Sequence, residues 1–209
     1  MTLPATIGRE QRQVVPDANA PAPAVYVGYR VPSARDRSSE AVQMLAGMLS
    51  GRSGSLYESL VRRSGVATSV IAANLGLVDG GDILFVRAAG KPGSNADSLE
   101  AAVQREVAAA VAALSQTDLE RARARTRFGL VDALQRTGGF GGRADMLAQG
   151  YTFYRDPNWV NTRLAAIDRV TLAEVQAVAR ERLVPTNRVT LVFVPNRAPA
   201  AQPQTPARP

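Results

Sequence analysis

Eight of the 13 prolines lie in two short stretches, residues 1–23 and 196–209, and confine regular structure to the chain between them. Proline donates no backbone hydrogen bond and favours extended conformations, so both stretches read as connecting segments. Residues 1–24 are expected to form a Pro/Ala-rich interdomain linker, residues 25–195 a single folded domain, and residues 196–209 a Pro-rich tail. A chain of 209 residues, 45% of them hydrophobic, can bury one sizeable core. Aromatic residues make up only 5%, so alanine and valine must fill much of that core, which favours closely packed helices.

Within the body the periodicity changes twice. Val25–Val31 alternates apolar and mixed residues as a half-buried strand does. Residues 38–49 then place Ala41, Val42, Leu45, Met48 and Leu49 on one helical stripe, and Gly51–Gly54 breaks it. A short helix over 55–64 stops at Gly65, and two strands, 66–75 and 83–89, meet through the turn Asp79-Gly80-Gly81-Asp82. The second half is helical. Leu99, Val103, Val107, Ala110, Val111 and Leu114 form one face, and Thr117–Glu120 and Thr171–Glu174 read as capping boxes. Val189–Val194 closes the body as a strand. The order β-α-α-β-β-α-α-α-α-α-β predicts an α+β fold, with helices packed on one face of a mostly antiparallel sheet.

Cysteine and histidine are both absent. That excludes disulfides, thiol nucleophiles, Ser-His-Asp triads, histidine bases and any zinc site of ordinary composition. No catalytic residue and no metal ligand is therefore expected in this chain. Ser53 and Ser55, flanked by glycines, have no histidine to deprotonate them. The glycines at 138, 139, 141 and 142 follow a helix rather than a strand, so they read as an interhelix turn and not a phosphate loop. Tyr151, Phe153, Tyr154 and Trp159 read as packing beneath a loop. The net charge of +7 is carried almost wholly by arginine, Lys91 being the only lysine. Many arginines neighbour acidic residues. Arg121, Arg123, Arg125 and Arg127 fall on two sides of a helix at ~100° per residue, which argues for a solvated surface and against a nucleic-acid partner. No apolar run approaches the ~20 residues of a membrane span. Met1-Thr2-Leu3-Pro4 lacks the features of a signal peptide, so the chain reads as soluble, or as a piece of a longer precursor.

Four phrases, in order, resemble one protease family. Ser55-Leu56-Tyr57-Glu58-Ser59-Leu60-Val61-Arg62-Arg63-Ser64-Gly65-Val66-Ala67-Thr68-Ser69-Val70 is similar to the Leu-Phe-x-Glu-Leu-Arg-Glu-Lys-Arg-Gly-Leu-Ala-Tyr-Ser-Val segment of pitrilysin/insulinase-type zinc proteases. The Gly80-Gly81 turn with a strand ending at Gly90-Lys91-Pro92 follows at the family's spacing, as do Leu114–Arg123 and the Arg169–Gln176 helix with its closing strand. The closest branch is the bacterial one similar to mitochondrial processing peptidase.

The resemblance implies the inactive, C-terminal-half domain of such an enzyme, one half of a clam that closes on a peptide. Zinc would belong to a homologous half or subunit, with no cofactor in this chain. The family's inactive half carries an arginine and, seven residues later, a tyrosine that hold the substrate backbone. Those positions are Val61 and Thr68 here, so the clamp is vacated, although Arg62, Arg63 and Thr68 would still lie in the substrate-facing segment. The expected function is the non-catalytic half of a zinc metalloendopeptidase, forming chamber wall and partner interface, with no peptidase activity alone. The alternative is a degenerate structural or assembly subunit of the same fold. Expected partners are the zinc-bearing half, a peptide substrate in the assembled complex, and a second copy of this chain in isolation. A periplasmic or secreted location is suggested by the resemblance alone, since the absence of cysteine fits the cytoplasm and a larger secreted domain equally.

Overall fold

A computed structural model describes residues 6–196. The chain opens with β1 (Gln11–Asp17) and β2 (Ala24–Val31), followed by α1 (Ser39–Leu49). Next come α2 (Ser55–Tyr57), which continues as a π-helical turn Glu58–Arg63, then β3 (Ser69–Asn74) and β4 (Asp82–Ala89). The helical half contains α3 (Ala96–Ala112), α4 (Gln116–Gln135), α5 (Arg143–Gln149) with a π-helical turn Gly150–Tyr154, α6 (Trp159–Arg169) and α7 (Leu172–Arg182). A 3-10 turn, Pro185–Asn187, leads into β5 (Arg188–Pro195). The five strands form one sheet in the order β1-β5-β2-β4-β3, antiparallel except for the β1–β5 pair. This is the expected α+β layering.

Strand alternation separates the two faces of the sheet. Val25, Val27, Tyr29 and Val31 of β2, Leu84, Val86 and Ala88 of β4, and Val192 of β5 are buried. They join Leu45 and Leu49 of α1, Val103 and Val107 of α3, Leu119 of α4, Ile167 of α6 and Val175 of α7 in one core. Burying each such valine or leucine is worth roughly 1.5–3 kcal/mol, so this shared core is what holds the helices to the sheet. The register pairs Val27 with Val86 and Val25 with Val192, which keeps the apolar set on the helix side of three adjacent strands. Helices α1 and α4 cross where Gly47 meets Ala122: a Cβ at Gly47 would lie 3.3 Å from the Ala122 Cβ, so the crossing leaves no room for a larger side chain.

Residues 1–24 are not linker throughout. Gln11–Asp17 forms the edge strand β1, parallel to β5. Its place at the edge explains how it carries Pro16, because one side of the strand pairs with nothing in the sheet. It is anchored through Arg12, which donates to Glu100 at 2.8–3.1 Å and to Asp97 at 2.9 Å on α3. The Ile7 N–H adds a 3.2 Å bond to Asn187 Oδ1. The Pro-rich tail lies outside the described residues, apart from Asn196.

The helix ends refine the sequence reading. The box at Thr171 and Glu174 forms as expected. The α4 box does not use Thr117 and Glu120. Ser115 is the N-cap and Asp118 the reciprocating residue, so the helix starts earlier and Leu119 and Ala122 turn into the core. Asp118 gains two donors there that Glu120 lacks: the Ser115 N–H and the Ser115 hydroxyl. The glycines near 140 form the interhelix turn, with Phe140 wholly exposed at its tip. Of the aromatic group, Tyr154 and Trp159 stack at 4.2 Å, and Arg163 lies 4.7 Å from the Trp159 ring centre. Tyr151 and Phe153 are exposed.

Candidate partner-facing segment and open sheet face

The 58–68 segment is shaped by its serines and by Gly65. The Ser64 N–H donates to Ser59 O at 3.0 Å, the spacing of a π-helix, and the Ser64 hydroxyl donates to the same carbonyl at 2.7 Å. Gly65 then takes φ +61, a left-handed conformation that a side chain disfavours, and turns the chain towards β3. The Ala67 N–H returns to Leu60 O at 3.0 Å. The helical turn ends just before Gly65, where the glycine in the sequence predicts its stop. The π-helical winding had no visible signal in the residues.

This geometry decides what Val61 and Thr68 can do. Val61 is half-buried and packs against the core. Thr68 is exposed, but its hydroxyl lies 3.2 Å from Ala89 O and 3.3 Å from Gly90 O, and its N–H donates to Ala89 O at 2.8 Å. Its hydroxyl proton is therefore committed to the end of β4. Arg62 and Arg63 are exposed, and Arg62 lies 3.6 Å from Glu58, too far for a good hydrogen bond. Lys91 lies by the turn that ends the segment: a Cβ at Gly65 would meet Lys91 Nζ at 3.5 Å. Lys91 and Thr68 thus lie at the end of β4, by the Gly65 turn that follows Arg62 and Arg63 in the chain. A cation near the end of a helix opposes its free carbonyls favourably.

The second surface is the helix-free face of the sheet. Tyr26, Gly28, Phe85, Val189, Leu191 and Phe193 alternate with the buried core residues and remain half-buried. Tyr26 packs edge-to-face on Phe193 at 5.4 Å, and Arg87 donates to the Tyr26 hydroxyl at 2.7 Å. An apolar groove of about 350 Å³ runs over Gly28 between Ile83 and Val189. A Cβ at Gly28 would make only ordinary contacts, 3.7 Å to Ile83 and 3.9 Å to Val189 O, so the glycine leaves a dent in the face.

The donors present do not fit zinc. The chain has neither histidine nor cysteine, and among the described residues no three His, Cys, Asp or Glu side chains gather where they could share an ion. The carboxylates serve the fold instead. Burial alone would push the Asp118 carboxyl up, but the bonds from Ser115 and Arg121 outweigh it and hold the group below the usual carboxylate range. The arginines of α4 are also structural. Arg123 donates to Val170 O at 2.6 Å and Arg127 grips both oxygens of Asp168 at 2.8 Å, while Arg121 turns to Asp118 and Arg125 to the end of α1. They splay to two sides of the helix, as their spacing predicts.

The described residues form an α+β layer, with helices on one face of the sheet and an apolar surface on the other. Residues 2–126 match the profile of the peptidase M16 inactive domain, and this chain belongs to that family. Among solved structures, the fold is similar to the inactive peptidase domain of a proposed zinc protease from Bordetella parapertussis. The identity is 22%, covering 90% of this chain and 98% of that one, with a TM-score of 0.76. It is also similar to a protease from Helicobacter pylori, at 19% identity and a TM-score of 0.75 over 93% of this chain and 46% of that one. A peptidase M16 inactive domain from Pseudomonas fluorescens shares 14% identity, with a TM-score of 0.68. The chain spans about half the length of the Helicobacter pylori protease. No curated protein matches the sequence significantly.

Proposed function

We propose that this chain is the closing half of a zinc-dependent metalloendopeptidase, of the bacterial branch similar to mitochondrial processing peptidase. It forms wall and interface while a homologous zinc-bearing half performs the hydrolysis. The observation that carries this reading is the sheet: α1, α2, α3 and α7 pack on one face, and the other presents an aromatic-rich surface with a groove at Gly28. Exposed apolar faces with polar rims suit a partner. The substrate-facing part is the 58–68 segment with Arg62, Arg63 and Thr68. Val61 is packed inward and the Thr68 hydroxyl is committed to β4, so the contribution there is shape and charge rather than a clamp on the substrate backbone. Zinc resides in the partner half. A periplasmic or secreted setting is supported by the similarity to a periplasmic protease from Escherichia coli, which has a TM-score of 0.66.

The rival is a structural subunit of the same fold, and it is favoured by Val61 packing inward and the Thr68 hydroxyl being held by β4. The two are separated by an interface lesion that leaves the fold intact. Gly28→Val fills the dent with little strain and suits a strand. The variant keeps its melting temperature within a few degrees but weakens sedimentation with the zinc-bearing half, and peptidase activity falls with it. If complex formation is unchanged, the sheet face is not the interface. If the complex is lost with activity untouched, this chain is the structural subunit.

A further inference from the structure

The Gly51–Gly54 loop joins α1 to α2 and closes on an arginine from α4. Gly51 has φ +83, and a Cβ there would fall 2.5 Å from Arg125 Nη1. At Gly54 a Cβ would fall 2.4 Å from Ser50 O. Neither position takes a side chain as the loop stands. Between this loop, α2 and the first turns of α4 lies an open cleft of about 850 Å³, which holds Arg52, Arg62, Arg121 and Arg125 against Glu58 and Asp118.

The four guanidinium groups are unequal. Arg125 donates to Gly47 O, Ser50 O and Ser53 Oγ, so its donors are taken up by the end of α1 and by the loop. Arg121 is paired with Asp118. Arg62 is only loosely paired with Glu58, and Arg52 has no hydrogen-bonded or ionic partner among the described residues. The surplus positive charge of the cleft thus rests on two exposed forks with unfilled donors, a geometry that matches carboxylates bidentately.

We propose that this cleft docks an acidic stretch of peptide, whose side-chain carboxylates accept from Arg52 and Arg62. Its backbone N–H groups would find an acceptor in Glu58. A cleft this open and polar does not suit an apolar small molecule. Its lining includes no aromatic side chain on which bases could stack, and its two carboxylates oppose a uniformly anionic strand. An extended acidic peptide carries both complements. The proposal rests on the closing-half reading only for the source of the peptide, because Arg62 belongs to the segment which that reading turns towards substrate. Binding is measured on this chain alone, so the two can fail separately.

The test is fluorescence anisotropy of short labelled peptides titrated with the full chain at low salt. A glutamate-rich peptide binds, a lysine-rich one of equal length does not, and higher salt weakens the complex several-fold. Arg52→Glu with Arg62→Glu weakens acidic-peptide binding by roughly tenfold, because two exposed pairs are lost and two repulsions created. Arg136→Glu with Arg143→Glu makes the same change in net charge elsewhere and alters affinity by no more than about twofold. Circular dichroism of both pairs checks that the fold is kept. Equal losses from the two pairs would reduce the effect to net charge and overturn the proposal. So would tighter binding of an oligonucleotide, equal binding of the lysine-rich peptide, or no acidic-peptide binding at all.

Discussion

Asn187 joins three separate parts of the chain with one fully buried side chain. Its Nδ2 donates to Arg30 O of β2 and to Arg182 O of α7, each at 2.8 Å, and its Oδ1 accepts from the Ile7 N–H at 3.2 Å. Asn187→Ala removes all three bonds, takes this partner from partly buried backbone groups and opens a small void. With each bond worth about 0.5–1.5 kcal/mol and each stranded group costing about 1–3, partial rescue by water leaves a net loss of roughly 2–4 kcal/mol. Urea denaturation followed by circular dichroism reads this directly. With a slope of about 2 kcal/mol per molar, the midpoint should fall by roughly 1–2 M. Asn187→Asp sharpens the test by placing an acceptor against two carbonyl oxygens. Burial would raise the folded-state pKa of the new carboxyl above its unfolded value, so the defect is largest at neutral pH and shrinks as the pH falls towards 4. An alanine variant whose midpoint moves by less than about 0.3 M would refute the view that Asn187 ties the N-terminal segment, β2 and α7 together.

The remaining predictions concern the helices. The Thr171 N–H and then its hydroxyl hold the Glu174 carboxyl below its ordinary range, so the folded pKa lies under the unfolded one and the stabilisation is complete above the unfolded value. It is lost as the pH falls through the folded value, and Thr171→Ala should lower neutral-pH stability by about 1 kcal/mol while flattening the acid limb of the curve. At the α1–α4 crossing, Gly47→Leu should cost about 1–3 kcal/mol by forcing the helices apart, which thermal unfolding would register as a drop of several degrees.

Much of this fold is legible in the residues because its periodicities are clean. The alternation in Val25–Val31, the helical stripe with Leu45 and Leu49, and the stop at Gly65 each specify a local structure that packing then confirms. β1 was hidden because its polar, proline-bearing residues pair on one side only, and the anchor, Arg12 on Glu100, spans 88 positions in the chain. The α4 start was misplaced because Thr117–Glu120 satisfies the same four-residue pattern as Ser115–Asp118. The reciprocal bonds between Ser115 and Asp118 choose between them. At the candidate site the sequence reading could name Val61, Arg62, Arg63 and Thr68. It could not show that Val61 turns inward or that Lys91 lies by the Gly65 turn, since both depend on how the π-helical turn meets the end of β4.

The central claim is that this chain completes a peptidase whose zinc lies elsewhere. The most direct measurement is the cleavage rate of a labelled peptide by the zinc-bearing half, with and without this chain, at equal zinc loading. The closing-half account predicts no cleavage by this chain alone and a large rise in rate when it is added to the zinc-bearing half. Thr68→Tyr, which adds a phenol at an exposed position of the segment, should raise the rate further. If the chain increases activity no more than an unrelated protein does, the closing-half account is contradicted.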